Sequence, residues 1–176
     1  HGVWQYLRLL GVNPAVTADR PFFISTSRTL ARRGATRVLI SGSADYGMLA
    51  QLSFGFRAEG VEPDYVLADH CATPLEVNKD YARRAGLRLQ TIHGDIREVA
   101  VEPVDLICTH SFLLFFDEEG RHALARTWYD MLRPGGSIVT TNPLFPPAWT
   151  AEASQTKEEV ERYRGIVVAA ARDHAG

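Results

Sequence analysis

With 176 residues, 45% of them apolar and 23% charged, the chain has the balance of an ordinary globular domain and is long enough to build one full hydrophobic core. A formal net charge of -2 gives no reason to expect nucleic acid or an anionic membrane as a partner, since both call for a basic surface. Two cysteines, Cys71 and Cys108, both expected at strand ends, are too few for a disulfide scaffold, so a reducing, cytosolic compartment is expected.

The chain begins at His1 rather than Met and carries no signal-peptide pattern there, which points to a processed or trimmed product. No apolar run reaches the roughly 18 residues of a membrane span. His1 to Leu10 holds Val3, Trp4, Leu7, Leu9 and Leu10 at near-helical spacing, broken by Asn13-Pro14. A second helix, capped by Asp19 with Pro21 in its first turn, runs through Phe22, Phe23, Ile24, Leu30 and Ala31 to Gly34. Thr36 to Ser41 is a short branched apolar run that predicts a buried strand.

From there strands and helices alternate. The pattern predicts helices over 46–58, 74–85, 118–132 and 156–172, with Thr73 as the better cap of the second of these. It predicts strands over 65–68, 87–93, 105–109 and 137–141. Glycines or Pro-Gly follow several of the helices: Gly60, Gly86 and Pro134-Gly135-Gly136. Such alternation predicts βαβ units, right-handed crossovers and a mainly parallel, doubly wound sheet with helices on both faces. The expected organisation is an N-terminal helical extension, residues 1–34, packing on a single core domain, residues 35–176. The arginine clusters Arg28, Arg32, Arg33 and Arg83, Arg84, Arg88 read as solvated helix faces.

In an open parallel sheet, ligands bind beyond the C-terminal ends of the strands. The segments there are therefore the candidate site. Ser41-Gly42-Ser43-Ala44-Asp45 follows the first strand. Gly42 can take a positive φ, and Ser43 and Ala44 are small enough to let backbone N–H groups approach a ligand; a plain strand-to-helix turn has the same composition. Asp69 ends the second strand, where dinucleotide folds place a ribose-binding carboxylate about 20 residues past the loop. An N-cap role for Asp69 is the alternative. Gly94-Asp95-Ile96 follows the third strand. There a carboxylate can accept from an adenine amine and the Ile96 N–H can donate to the ring; the alternative is an ordinary Gly-Asp turn. Thr109-His110-Ser111 follows the fourth, where a transferable group or substrate would lie.

Together these segments resemble the class I S-adenosylmethionine (SAM) dependent methyltransferases. Val38 to Asp45 resembles the family's first motif and Asp69 its second-strand acidic residue. Gly94-Asp95 is similar to its adenine-side motif, and Asp105 to His110 to its fourth-strand motif. Leu132-Arg133-Pro134-Gly135-Gly136-Ser137 is similar to its turn into strand five. The resemblance spans Thr36 to Asn142. It implies a Rossmann-like fold, SAM as cofactor with S-adenosylhomocysteine as product, and methyl transfer to a small-molecule acceptor, with no nucleic acid or membrane partner and an oligomeric state left open. It implies that Gly42, Ser43 and Ala44 line SAM and that Asp69 binds the ribose. Gly94, Asp95 and Ile96 would flank the adenine, and His70 and Cys71 would pack on the ribose–adenine side. His110 and Ser111 would face the methyl group, with His110 as the candidate base. No metal site is expected.

The chain departs from the family pattern at Ile40, where an acidic residue is usual, and at Ala44, where a glycine is usual. The given residues stop just after the last helix, so the usual final antiparallel hairpin is expected to be lost, cut away or not included in this sequence, and strand five would then be an exposed sheet edge. A non-catalytic SAM-binding domain is thus a second reading. A nicotinamide-dependent oxidoreductase is a third, weakened by the missing G-x-G-x-x-G. Substrate contacts are expected from Phe22, Phe23, Phe145 and Trp149.

Overall fold

The computed structural model describes residues 6–7, 9–12, 18–143 and 156–175. These fall into two compact units, one running to Asn142 and one combining the N-terminal stretch with the residues from Pro143 onward.

The first unit is a five-stranded, all-parallel sheet. In chain order its elements are α1 (Arg20–Arg32), β1 (Arg37–Ser41), α2 (Gly47–Arg57), β2 (Asp64–Asp69), α3 (Ala72–Ala85), β3 (Leu89–His93), β4 (Val104–His110), a short 3-10 turn (Leu113–Phe115), α4 (Glu118–Met131) and β5 (Leu132–Thr141). The strand order is β3-β2-β1-β4-β5. Strand order reverses between β1 and β4, and the C-terminal ends of that pair form the crevice where such sheets bind ligands.

Strand periodicity of two sorts the side chains onto two faces. Val38, Ile40, Tyr65, Leu67, Leu106 and Cys108 face α1, α2 and α3, through Phe23, Leu30, Leu49, Leu52, Phe56, Leu75 and Ala82. Leu39, Val66, Ala68 and Ile107 face α4, through Leu124, Trp128 and Met131. With both faces covered, the strands read as near-continuous apolar runs. The connection from β3 to β4 has no helix. Its Ile96, Val99 and Val101 pack directly on the second face.

Local chemistry sets the element ends. Gly86 closes α3 in the left-handed conformation, φ 65°. Asp117 caps α4 by accepting from the Gly120 N–H at 2.8 Å. The expected turn at Pro134-Gly135-Gly136 lies inside β5, as an irregularity in its pairing with β4 between Val104 and Leu106. Asp105 locks that region: one carboxylate oxygen accepts from the Thr36 and Arg37 N–H groups at 2.8 and 2.9 Å, the other from Arg133 at 3.0 Å. Burial raises the Asp105 pKa, but these hydrogen bonds outweigh it and hold the carboxyl below its ordinary value.

Helices α1 and α2 approach closely because Gly55 on α2 has no side chain. A Cβ there would overlap Ser27 Oγ and stand 2.7 Å from the Ile24 carbonyl oxygen. Both arginine clusters are engaged in ion pairs. Arg28 and Arg32 hold Glu59, Arg83 and Arg84 hold Asp80, and Arg88 holds Asp64.

In the second unit, Tyr6, Leu7 and Leu9 are helical, and α5 spans Lys157–Ala175. Thr156 and Glu159 form a reciprocal capping box at its start, with Thr156 N–H donating to Glu159 at 2.8 Å and Glu159 N–H to Thr156 Oγ1 at 3.2 Å. Phe145 and Trp149 lie outside the described residues. No helix among the described residues is long and apolar enough to cross a membrane.

Candidate functional site at the strand ends

The loop after β1 starts at Gly42, whose φ of 74° is in the left-handed region. The Phe112 ring lies over it: a Cβ on Gly42 would come within 2.5 Å of Phe112 Cδ2. Only glycine therefore lets β1 turn away while Phe112 covers it. Phe112 in turn packs edge-on to Phe116, with ring centroids 5.1 Å apart. Beneath this loop, the Trp128 indole N–H donates to the buried Ser41 Oγ at 3.0 Å, tying α4 to the end of β1.

Asp69 joins two of the expected segments. One of its oxygens accepts from the Ser43 N–H at 2.8 Å, the other from the Cys71 N–H at 2.7 Å. The residue is 9% exposed. A carboxylate has about four lone-pair positions, so each oxygen keeps one for a ligand hydroxyl. The α3 helix starts two residues earlier than expected, at Ala72, with Cys71 rather than Thr73 at its N-cap. Cys71 thus belongs to the helix cap and not to a strand end. The backbone N–H it presents is the one Asp69 binds.

Asn78, absent from the expected site, completes the loop's support. It is fully buried on α3, and its amide donates to the Asp45 carbonyl at 3.2 Å and the Pro74 carbonyl at 2.9 Å. Asp45 in turn accepts from the Gly47 N–H at 2.6 Å, and its carbonyl accepts from Ser43 Oγ at 2.5 Å. The signal for Asn78 was present in the sequence: it shares the apolar stripe of Leu75 and Ala82, a polar residue at helical core spacing.

After β3, Asp95 is clasped by Arg97, which donates from Nε at 3.0 Å and Nη2 at 2.5 Å. The guanidinium holds the carboxyl down, to about 2. Arg97 also sits over the Phe116 ring, 5.3 Å from its centroid. The Ile96 side chain is buried in the second-face core, so its backbone is what remains for a ligand. His70 is exposed, and its carbonyl lies 3.1 Å from His93 Nε2.

After β4, His110 Nε2 lies 3.1 Å from Asp19 Oδ2, and its ring lies 6.3 Å from that of Phe23. Asp19 precedes α1 but makes no side-chain capping bond there; its carboxylate goes to His110 instead. Ser111 takes a positive φ of 54°, unusual for a residue with a side chain, and donates its N–H to Thr141 at 2.7 Å. Phe23 is fully buried in the first-face core, which removes it as a ligand contact, whereas Phe22 is 44% exposed. Ile40 is likewise fully buried against the helices, so this chain has an apolar contact where an acidic side chain was the family expectation. No three His, Cys, Asp or Glu side chains come together as a metal site among the described residues.

The strand ends thus carry small-residue backbone at β1, a carboxylate at β2, a second carboxylate at β3 and a histidine at β4. The model of the methyltransferase domain family matches residues 27–136. The chain belongs to this methyltransferase family. It is 29% identical over 100 residues to carboxy-S-adenosyl-L-methionine synthase of Shewanella piezotolerans, covering 54% of this chain and 40% of that protein. A second synthase of the same name, from Klebsiella pneumoniae, is 27% identical over 85 residues, covering 48% and 32%. This methyltransferase-family chain therefore spans well under half the length of those relatives. Among solved structures, the SAM-dependent methyltransferase SibL superposes with a TM-score of 0.58 at 20% identity, over 84% of this chain and 41% of that one. The S-adenosylhomocysteine-bound methyltransferase PaMTH1 of Podospora anserina gives 0.54 at 18%, over 90% and 68%. These likenesses establish a Rossmann-like methyltransferase fold.

Proposed function

We propose that this chain binds SAM across the ends of β1, β2 and β3 and transfers its methyl group to a small-molecule acceptor lying beyond β4. The observation that carries the reading is the Asp69 carboxylate, held by Ser43 and Cys71 at the switch-point side of the sheet with a lone pair left on each oxygen. Gly42, Ser43 and Ala44 supply backbone close enough to line the cofactor, and Gly94, Asp95 and the Ile96 backbone flank the adenine. His70 and Cys71 border the ribose, and His110 and Ser111 face the methyl group.

The cofactor brings a methyl group on a positively charged sulfur, an already activated leaving group. What the protein must add is alignment and a dry site. Phe112 covers Gly42, and Asn78 braces the loop by donating to the Asp45 carbonyl. The free thiols of Cys71 and Cys108 suit the bacterial cytoplasm.

Binding without turnover is a second reading, favoured by Ile40, a fully buried apolar side chain where an acidic one is the family expectation. Calorimetric titration with SAM, S-adenosylhomocysteine and NAD tests the proposal. Micromolar binding of the first two, about -8 kcal/mol, is expected; binding of NAD alone overturns it. Mass spectrometry of the cofactor after incubation with candidate acceptors then separates demethylated cofactor, from methyl transfer, from unchanged cofactor.

A further inference from the structure

We propose that the chain carries a second small-molecule site, away from the strand ends, that takes a free α-amino acid with an apolar side chain. No helix joins β3 to β4, so on the second face of the sheet β2 and β3 are covered by the connection itself. Where that connection runs into β4 it leaves a cavity of about 280 Å3. The cavity is lined by Val66 of β2, Ile92 of β3, Val101, Glu102 and Pro103 of the connection, and Arg37 at the start of β1. Pockets for drug-sized ligands run from about 300 to 1,000 Å3, so this one suits a ligand of amino-acid size.

Arg37 marks the cavity as a receptor. Its Nε is buried and has no hydrogen-bond partner among the described residues. A buried guanidinium nitrogen without an acceptor is costly, and native interiors seldom leave one. The carboxylates that the fold brings to this end of the sheet do not serve it. Asp64 stands opposite Arg37 in the β1–β2 register, but Arg88 Nε holds its carboxylate at 2.5 Å. Asp105 accepts from the Arg37 backbone N–H and gives its other oxygen to Arg133. Glu102 lines the same cavity, yet no ion pair or hydrogen bond joins it to Arg37. The cavity thus presents a cation and an anion that leave each other unpaired, with apolar side chains beside them.

That combination selects the ligand. A guanidinium binds a carboxylate through two parallel N–H···O bonds. A simple anion would satisfy Arg37 but meet the charge of Glu102, and a simple cation would do the reverse. A zwitterion satisfies both, with its α-carboxylate accepting from Arg37 and its α-ammonium donating to Glu102. Val66, Ile92, Val101 and Pro103 then cover an aliphatic or aromatic side chain.

Titration of the whole chain under proton–nitrogen NMR tests this. The probes are L-leucine and L-phenylalanine, with N-acetyl-L-leucine and L-leucinamide as controls that each lack one charge. At least one of the two amino acids is expected to shift the amides of Val66, Ile92 and Val101 with a Kd of about 1 mM or tighter. Both controls should bind about tenfold more weakly than L-leucine or worse. Arg37→Lys, which keeps the charge and loses the fork, should weaken the amino acid by about tenfold. Glu102 is exposed, so Glu102→Gln keeps the fold; it should weaken the amino acid by about tenfold and leave N-acetyl-L-leucine no weaker than before. No shift at the cavity amides up to about 10 mM of either amino acid overturns the proposal, and so does N-acetyl-L-leucine binding as tightly as L-leucine. The site is independent of the strand ends, so SAM titrations of both variants should match the unaltered chain.

Discussion

Asp69→Asn isolates the structural half of the carboxylate's role. In the folded chain its two oxygens accept from Ser43 N–H at 2.8 Å and Cys71 N–H at 2.7 Å. Asparagine is nearly the same size but offers one oxygen and one NH2 group. Whichever way it turns, an N–H donor faces an N–H donor on one side. One charge-assisted hydrogen bond, about 1.5–3 kcal/mol, is lost, and one largely buried N–H loses its partner. Some of the second cost is recovered by water at the loop, so the net loss should be about 2–4 kcal/mol. For a chain of this length that is a fall of roughly 5–12 °C in Tm. Urea unfolding followed by circular dichroism, with the slope m unchanged, measures it directly. A loss below about 1 kcal/mol would refute the reasoning, because it would mean that the two loops hold their places without the carboxylate. The same geometry shows why an alanine at this position is a poor probe of the proposed ribose binding: it removes the proposed contact and the staple between the β1 and β2 loops together. SAM titration of Asp69→Asn well below its Tm keeps the two effects apart.

The other predictions follow from single contacts. Gly55→Ala gains up to about 1 kcal/mol of helix propensity, but its Cβ meets the Ile24 carbonyl oxygen at 2.7 Å and overlaps Ser27 Oγ. The overpacking should win by about 1–3 kcal/mol, and thermal melts showing a stabilised variant would refute it. Gly42→Ala must accept a left-handed φ and displace the Phe112 ring, so a loss of about 2–4 kcal/mol is expected. Adding Phe112→Leu should recover the steric part and leave the backbone part of about 1–2 kcal/mol, read by urea unfolding. Asp95 titrates at about 2 because Arg97 holds its charged form, so its contribution is complete above the ordinary carboxylate range and is lost as pH falls from about 4 towards 2. With 24% of the side chain in water, that contribution should be about 1–2 kcal/mol. Arg97→Ala should flatten that acid limb of the stability–pH curve, and an unchanged limb would show that the pair does not hold the charge.

The fold was readable because its signals are local and mutually consistent. Branched apolar runs such as Val38-Leu39-Ile40 mark strands buried on both faces. Gly86 marks the end of α3, and the alternation forces parallel pairing. The misplacements also have local causes. Thr73 was the expected cap of α3 because Ser, Thr, Asp and Asn usually cap with their own side chains. Here no capping side chain acts, and an aspartate two residues upstream, Asp69, takes the Cys71 N–H instead. Pro134-Gly135-Gly136 looked like a full break because a proline and two glycines disrupt regular pairing. Asp105 and Arg133 hold the chain across that interruption, so β5 runs on through it.

The candidate site was legible only where its chemistry depends on position along one strand. Gly42, Asp69, Asp95 and His110 could each be placed at a strand end from the order of elements alone. What those groups do to one another could not, because every decisive contact joins residues distant in sequence: Ser43 with Asp69, Asp45 with Asn78, Ser41 with Trp128, Asp19 with His110. The first three hold the loop after β1 from three sides and fix its shape. The fourth is of another kind. Asp19 has the sequence position of a helix cap and gives up that hydrogen bond to orient a histidine at the mouth of the sheet. A cap of that sort is worth about 1 kcal/mol. In its place the carboxylate fixes the ring of a histidine whose side chain keeps only 21% of its surface in water, so the end of β4, like the loop after β1, is held by a contact from a distant part of the chain.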